Sequence, residues 1–285
     1  MFLKKKRFRS PEKRQQQRHI LTIRALLVLG LVITSLVALA FFSHLPQLAV
    51  THISIVGSEL TKKEESIEIV QRYLDRNILA LLASSNIFFI PREKIQKELL
   101  ATYPQIQKSF VKRDTLKSIT LHLVEYKPLT LFCGEVPTNT EAPCYFVSPE
   151  GVIFFEAPRF SGGVYLEIYG KISERKTRNN TNYSKPLGYF LLEKGLFQRL
   201  TALLGVFDAM ELRYQKLLYD ENNDAQLILE NGVEIRFVLT QNFETLLSDL
   251  DAAFESGEIT LSQLQASDSL LEYVDMRFDN RVFFK

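Results

Sequence analysis

The sequence predicts an α+β protein with three parts: a single N-terminal transmembrane helix, a β-α-α-β-β domain, and a mixed α/β domain with a largely antiparallel sheet. Three observations carry this. Residues 25–42 hold no charged side chain, although 24% of the 285 residues are charged. Residues 50–126 pass from strand alternation to helical spacing and back. Beyond residue 127, short apolar runs are separated by turn-forming pairs. Gly (12) and Pro (10) are too few for a collagenous or low-complexity chain, and two cysteines exclude a disulfide-dense scaffold or a Cys₄ metal site.

The net charge of +2 hides a split. Residues 1–24 carry nine Lys or Arg against Glu12, a local charge of +8, which leaves the other 261 residues at −6. The basic residues are Lys4, Lys5, Lys6, Arg7, Arg9, Lys13, Arg14, Arg18 and Arg24. At about 1.5 Å per residue, the uncharged run makes a helix of roughly 27 Å, close to the ~30 Å hydrocarbon core. Ser43, His44 and Leu45 extend it before Pro46, so the span is placed at 25–45. The basic flank holds the tail in the cytoplasm by the positive-inside rule and sends the rest across the membrane. A cleaved signal peptide is the rival, since Ala38-Leu39-Ala40 has the small-x-small form. The apolar run continues through Phe41 and Phe42 and is long for a signal core, which favours an anchor. A nucleic-acid role for the tail is disfavoured because only Phe2 and Phe8 interleave the basic residues.

In the first outer domain, Ile53 and Ile55 alternate with His52 and Ser54 as a strand. Thr61 and Glu64 have capping-box spacing. They open a helix read through Ile67, Val70, Leu74, Ile78 and Leu81. An apolar run, NIFFI, occupies 86–90. Pro91 opens a second helix with Ile95 and Leu99 inward, and Pro104 stops it. Two strands follow, joined by a turn near Asp114 and Thr115. In the second, Ile119, Leu121 and Leu123 alternate with Thr120 and His122.

In the second outer domain, LTLF, CYFV and GVIFFE read as strands, with Ser148-Pro149-Glu150-Gly151 as a turn. Cys133 and Cys144 flank a polar loop. A hairpin disulfide is the default outside the membrane, with two free thiols or a chemical role as alternatives. Residues 171–186 are polar, basic and aperiodic, and are expected to be a mobile loop. Leu192, Leu196, Leu200, Leu203 and Phe207 form one helical stripe, and Phe243, Leu246, Leu250 and Phe254 another. Between them, AQLILE and VEIRFVL are strands joined by Asn231-Gly232. Residues 270–285 read as one long strand, with Val274, Met276 and Phe278 on one face and Tyr273, Asp275 and Arg277 on the other.

Enzyme classes find little support. His19, His44, His52 and His122 are scattered, with no metal-ligand spacing and no adjacent nucleophile. Neither a phosphate-binding glycine loop nor a G-x-S-x-G elbow occurs. Asp275 and Arg277, on one strand face, read as a structural ion pair rather than an acid–base pair. No catalysis, cofactor or metal is expected. A terminal strand with Phe278, Val282, Phe283 and Phe284 instead suggests an edge open to another chain, the alternative being an interior strand.

Four strings resemble a POTRA domain: V-x-x-I-x-I-x-G at 50–57, NIFFI, K-I-x-x-x-L at 94–99, and P-x-I-x-x-x-x-V-x-R at 104–113 followed by I-T-L-x-L-V-E-Y-K-P at 119–128. Y-V-D-M-R-F at 273–278 and L-I-L-x-N-G-V-E-I-R at 227–236 resemble the β-domain of the FtsQ/DivIB cell-division family. The resemblance, in this order, extends over residues 25–285. It implies a POTRA domain at 50–126 and an FtsQ-type β-domain at 127–285. It further implies a bitopic divisome scaffold in the cell (inner) membrane at the septum. The terminal segment, with Tyr273, Arg277, Phe278, Asn280, Val282 and Phe283, would bind an FtsB-like partner that comes with an FtsL-like one. The assembly would recruit and regulate the septal peptidoglycan synthase complex. The cysteine pair and the 171–186 loop are not general features of that family. The alternative function is an envelope transport or assembly factor whose POTRA domain docks polypeptides. It predicts further repeats or a β-barrel, and neither is read in the sequence. A membrane-anchored hydrolase would need a catalytic constellation that is not read either.

Overall fold

The structure, a computed structural model, describes residues 11–78, 82–136, 142–160, 163–176, 183–278 and 281–285. Helix α1 (Pro11–Ser43) contains the apolar stretch His19–Ser43, long and apolar enough to cross a membrane. Twenty-five residues give roughly 37 Å of helix, and large apolar side chains such as Leu27, Leu31 and Val37 are exposed along it. The helix ends at Ser43, short of the expected residue 45. Its last carbonyls need partners. The buried Asn86 side chain donates to those of Phe42 (3.3 Å) and Ser43 (3.1 Å). Pro46 then opens a 3-10 turn, Pro46–Leu48.

The chain divides into two compact units. One comprises Met1–Val56, Lys63–Gln96 and Phe110–His122; the other comprises Gly57–Lys62, Lys97–Ser109 and Leu123–Lys285. A three-stranded sheet is built from β1 (His52–Val56), β4 (Ile106–Arg113) and β5 (Ser118–Glu125) in the order β1-β5-β4. Strands β1 and β5 are parallel, with Ile53 opposite Ile119 and Ile55 opposite Leu121. Helix α2 (Lys63–Leu74) buries Ile69, Val70 and Leu74, and α3 (Arg92–Thr102) buries Ile95 and Leu99. The observed order is thus β-α-α-β-β, with a small hairpin, β2 (Asn77–Ile78) and β3 (Leu82–Ala83), between the helices.

Two local expectations are corrected. Helix α2 stops at Leu74, and Ile78 lies in β2; Leu81 is outside the described residues. The Thr61 capping box does not form, because the buried Thr61 hydroxyl has no partner. Instead, the Glu125 carboxylate accepts the backbone N–H groups of Glu59, Leu60 and Thr61, each at 2.8 Å. A charged acceptor takes up the donors that a hydroxyl would otherwise cap.

The second sheet has nine strands: β6 (Thr130–Phe132), β7 (Tyr145–Val147), β8 (Ile153–Glu156), β9 (Glu167–Tyr169), β10 (Tyr214–Tyr219), β11 (Asp224–Leu229), β12 (Glu234–Val238), β13 (Tyr273–Phe278) and β14 (Arg281–Phe284). Their order is β14-β13-β12-β11-β10-β9-β6-β7-β8. Among the described residues, β9 is parallel to β6 and β10, and β13 to β12; the other pairings are antiparallel.

Helices α4 (Lys194–Ala209), α5 (Phe243–Glu255) and α6 (Leu261–Gln265) share one core with the strands. Phe197, Phe207, Leu246, Leu250 and Leu264 join Leu217, Leu227, Phe237 and Val274 in it. Stripe residue Leu192 precedes α4, and the stripe reading missed Phe197, which is fully buried. At the turn before β8, Gly151 has a φ of +83°, and a Cβ there would meet the Phe197 ring at 3.0 Å, so a side chain fits neither the backbone nor the packing. Leu131, Cys133, Phe146, Val152 and Phe154 form a second, smaller cluster. Within it Cys133 is joined to Cys144 by a disulfide.

Of the polar loop at 171–186, residues 177–182 lie outside the described residues. Its described flanks are held. Ser173 donates through its N–H to Phe190 (3.1 Å), Arg175 pairs with Glu193 (2.7 Å), and the Tyr183 hydroxyl donates to the Leu100 carbonyl.

Candidate partner-binding edge

The terminal segment is two strands rather than one. Strands β13 and β14 form an antiparallel hairpin with Val274 opposite Phe284 and Asp275 opposite Phe283. Strand β13 is therefore interior, and among the described residues β14 is an open edge. Tyr273 and Lys285 exchange backbone hydrogen bonds (3.3 and 3.2 Å). Alternation along an antiparallel ladder then turns the N–H and C=O groups of Val282 and Phe284 away from β13, toward an incoming strand.

Side chains alternate as well. Val274, Met276 and Val282 belong to the helix-covered core. Tyr273, Asp275, Arg277, Phe278, Arg281 and Phe283 line one concavity on the opposite face. Phe278 and Phe283 meet edge-to-face with centroids 5.3 Å apart, yet remain 52% and 46% exposed. Phe278 leaves the Val274–Met276 face because the register slips between Asp275 and Phe278. Of the predicted site residues, the structure brings Tyr273, Arg277, Phe278 and Phe283 together. Val282 points to the core, and Asn280 lies outside the described residues.

A polar ladder stiffens this face. Asp275, only 5% exposed, accepts from the Arg277 backbone N–H (3.1 Å), Nε (2.9 Å) and Nη2 (2.6 Å). Arg277 Nη1 reaches across to Asp224 on β11 (2.9 Å). Burial pushes the Asp275 carboxyl up, but the Arg277 hydrogen bonds and the charges of Arg277 and Arg236 outweigh it and hold the group below its ordinary value. The hydrogen bond to Asp275 raises the Arg277 pKa in turn. On β12, the Arg236 guanidinium pairs with Glu234 (2.6 Å) and lies 4.3 Å from the Tyr273 ring centre. Sequence reasoning missed Arg281, Arg236 and Asp224. Asp279-Asn280, a pair of turn-forming residues between two apolar runs, was the available sign of a hairpin.

Strand, ladder and aromatic pair together make an edge that offers backbone hydrogen bonds flanked by two half-exposed phenylalanines. That is the chemistry of strand addition. No known family model matches the chain, and a search of curated proteins finds no match to it.

Proposed function

We propose that this chain is a single-pass membrane scaffold of the FtsQ/DivIB type. Its basic tail is cytoplasmic, the chain beyond α1 is extracytoplasmic, and it resides in the cell (inner) membrane at the division septum. Strand β14 takes up a strand from an FtsB-like bitopic protein that is itself paired with an FtsL-like one. The assembly recruits and regulates the septal peptidoglycan synthase complex. In this reading the chain has no catalytic chemistry of its own and needs no cofactor. The sequence resemblance supports the family, and the β-α-α-β-β order is the one a POTRA domain requires.

One observation carries the partner-binding part: an edge strand unpaired on one side among the described residues, with two half-exposed phenylalanines packed on each other beside it. A phenylalanine buries about 150–250 Å². Covering the exposed half of Phe278 and of Phe283 would each contribute about 2.5 kcal/mol at 25 cal/mol per Å². Ordering costs reduce the sum.

The test is capture from detergent-solubilised membranes with the full chain and with Phe278→Lys. Partner proteins of the FtsB and FtsL type should be retained by the unaltered chain and bound about 30-fold more weakly by the variant, corresponding to about 2 kcal/mol. Equal capture by both would remove the edge from the binding surface. Capture of secreted or outer-membrane polypeptides instead would favour the envelope-assembly alternative.

A further inference from the structure

The junction between α1 and the segment 82–90 is built, not loose. Ser43, the last helical residue, is buried; its hydroxyl donates to the Ala40 carbonyl (2.7 Å) and accepts the Ala83 N–H (3.2 Å). The buried Asn86 side chain takes the Phe42 and Ser43 carbonyls. Backbone bonds from Ile87 N–H to Leu48 (2.9 Å) and from Val50 N–H to Ser85 (2.9 Å) close the joint. The 86–90 turn therefore has a fixed place at the C-terminal end of the apolar helix.

Phe88 projects from that turn. Its ring lies 6.4 Å from that of Phe42, within the apolar stretch, and it stays 50% exposed. The Arg113 guanidinium lies 5.4 Å from the Phe88 ring centre. Arg92 follows four residues after Phe88 at the start of α3. Neither guanidinium is paired with a carboxylate among the described residues. Although the Arg113 side chain is exposed, desolvation and then the like charge of Arg92 lower its pKa. Long basic side chains near the end of a span extend their charged heads to the headgroup level while their stems stay against apolar surface.

We propose that Phe88 and Arg113, with Arg92 beside them, form a binding site for the headgroup phosphate of an anionic phospholipid in the leaflet at the C-terminal end of α1. The inference rests on α1 crossing a membrane. Phe88 enters the acyl–headgroup boundary, and its stacking holds Arg113 where a phosphodiester meets two guanidinium groups. The turn thereby fixes how the chain leaves the bilayer after α1.

The chain has no tryptophan, so Phe88→Trp and Leu31→Trp are each single-tryptophan reporters of the full chain in vesicles. The vesicles carry lipids brominated near the headgroup or deep in the chains, as phosphatidylglycerol or phosphatidylcholine. Fluorescence of the Leu31→Trp reporter should be quenched by deep bromines. That of the Phe88→Trp reporter should be quenched by shallow ones, and more strongly by the glycerol lipid. Each basic group near an anionic surface is worth about 1 kcal/mol, so Arg92→Gln with Arg113→Gln should reduce that preference about 5-fold per charge.

Quenching of the Leu31→Trp reporter without quenching of the Phe88→Trp reporter would overturn the site while leaving the span intact. Failure of both would overturn the span and the site together. Equal quenching by the two lipids, or release by inorganic phosphate alone, would overturn the lipid assignment. A second measurement avoids the tryptophan substitution. Native mass spectrometry of the otherwise unaltered chain should show phosphatidylglycerol retained, and the two glutamine substitutions should strip it; equal retention would overturn the proposal.

Discussion

Asp275→Asn keeps the shape of the residue that anchors the terminal hairpin and removes its charge. Three N–H donors from Arg277 converge on this carboxylate at 3.1, 2.9 and 2.6 Å. Hydrogen bonds to charged groups contribute about 1.5–3 kcal/mol each, but these three act as one unit and do not add. Breaking a fully buried ion pair costs about 3–5 kcal/mol. The Arg277 side chain is 31% exposed and keeps Asp224 at 2.9 Å, so the loss lies below that range, at about 2 kcal/mol.

The pH dependence gives the sign. The folded-state Asp275 pKa lies below its ordinary value of 3.8. Its stabilisation is therefore complete above that value and fades as pH falls through the lower folded-state value. Urea unfolding of the full chain in micelles, followed by circular dichroism, measures both effects. The variant should be less stable by about 2 kcal/mol at pH 7, and the gap should narrow as pH falls below the ordinary carboxylate range. A gap under about 0.5 kcal/mol at pH 7, or one equally wide at low pH, would refute the electrostatic account.

Two further predictions concern the scaffold. Gly57→Ala places a Cβ 2.1 Å from the Leu123 carbonyl oxygen at a φ of +83° and should destabilise the fold by at least about 2 kcal/mol; a melt within a degree of the unaltered protein would contradict this. Reducing the Cys133–Cys144 bridge, whose cysteines are 11 apart in sequence, should cost about 2–3 kcal/mol in a thermal melt with and without reductant. No shift would mean that the bridge adds nothing to the packing of β6 and β7.

Much of this was legible because single signals were strong. The apolar run at 25–42 was visible by composition, although α1 begins earlier, at Pro11, since Lys, Arg and Gln are good helix formers. The stripes of α4 and α5 found buried faces. The misses have physical causes. Ile78 and Leu81 fall at helical spacing from Leu74, yet Ile78 belongs to β2 of a hairpin, and periodicity cannot tell the two apart over so few residues.

The terminal hairpin was hidden by parity. Two residues separate β13 from β14, so Val274, Met276, Val282 and Phe284 keep even numbering across the turn and read as one long strand. Strand β9 has three residues and no pattern to detect. The link from Asp224 through Arg277 to Asp275, with Arg236 opposite Asp275, draws on three strands, and its members meet only once the register is known.

Amide hydrogen exchange along β14, with and without the extracytoplasmic part of the proposed FtsB-like partner, tests the central claim most directly. Strand addition predicts that the Val282 and Phe284 amides, directed away from β13, become protected in the complex, with a smaller change at Phe283 and Lys285. Protection at the opposite edge strand, β8, or none at Val282 and Phe284, would contradict it.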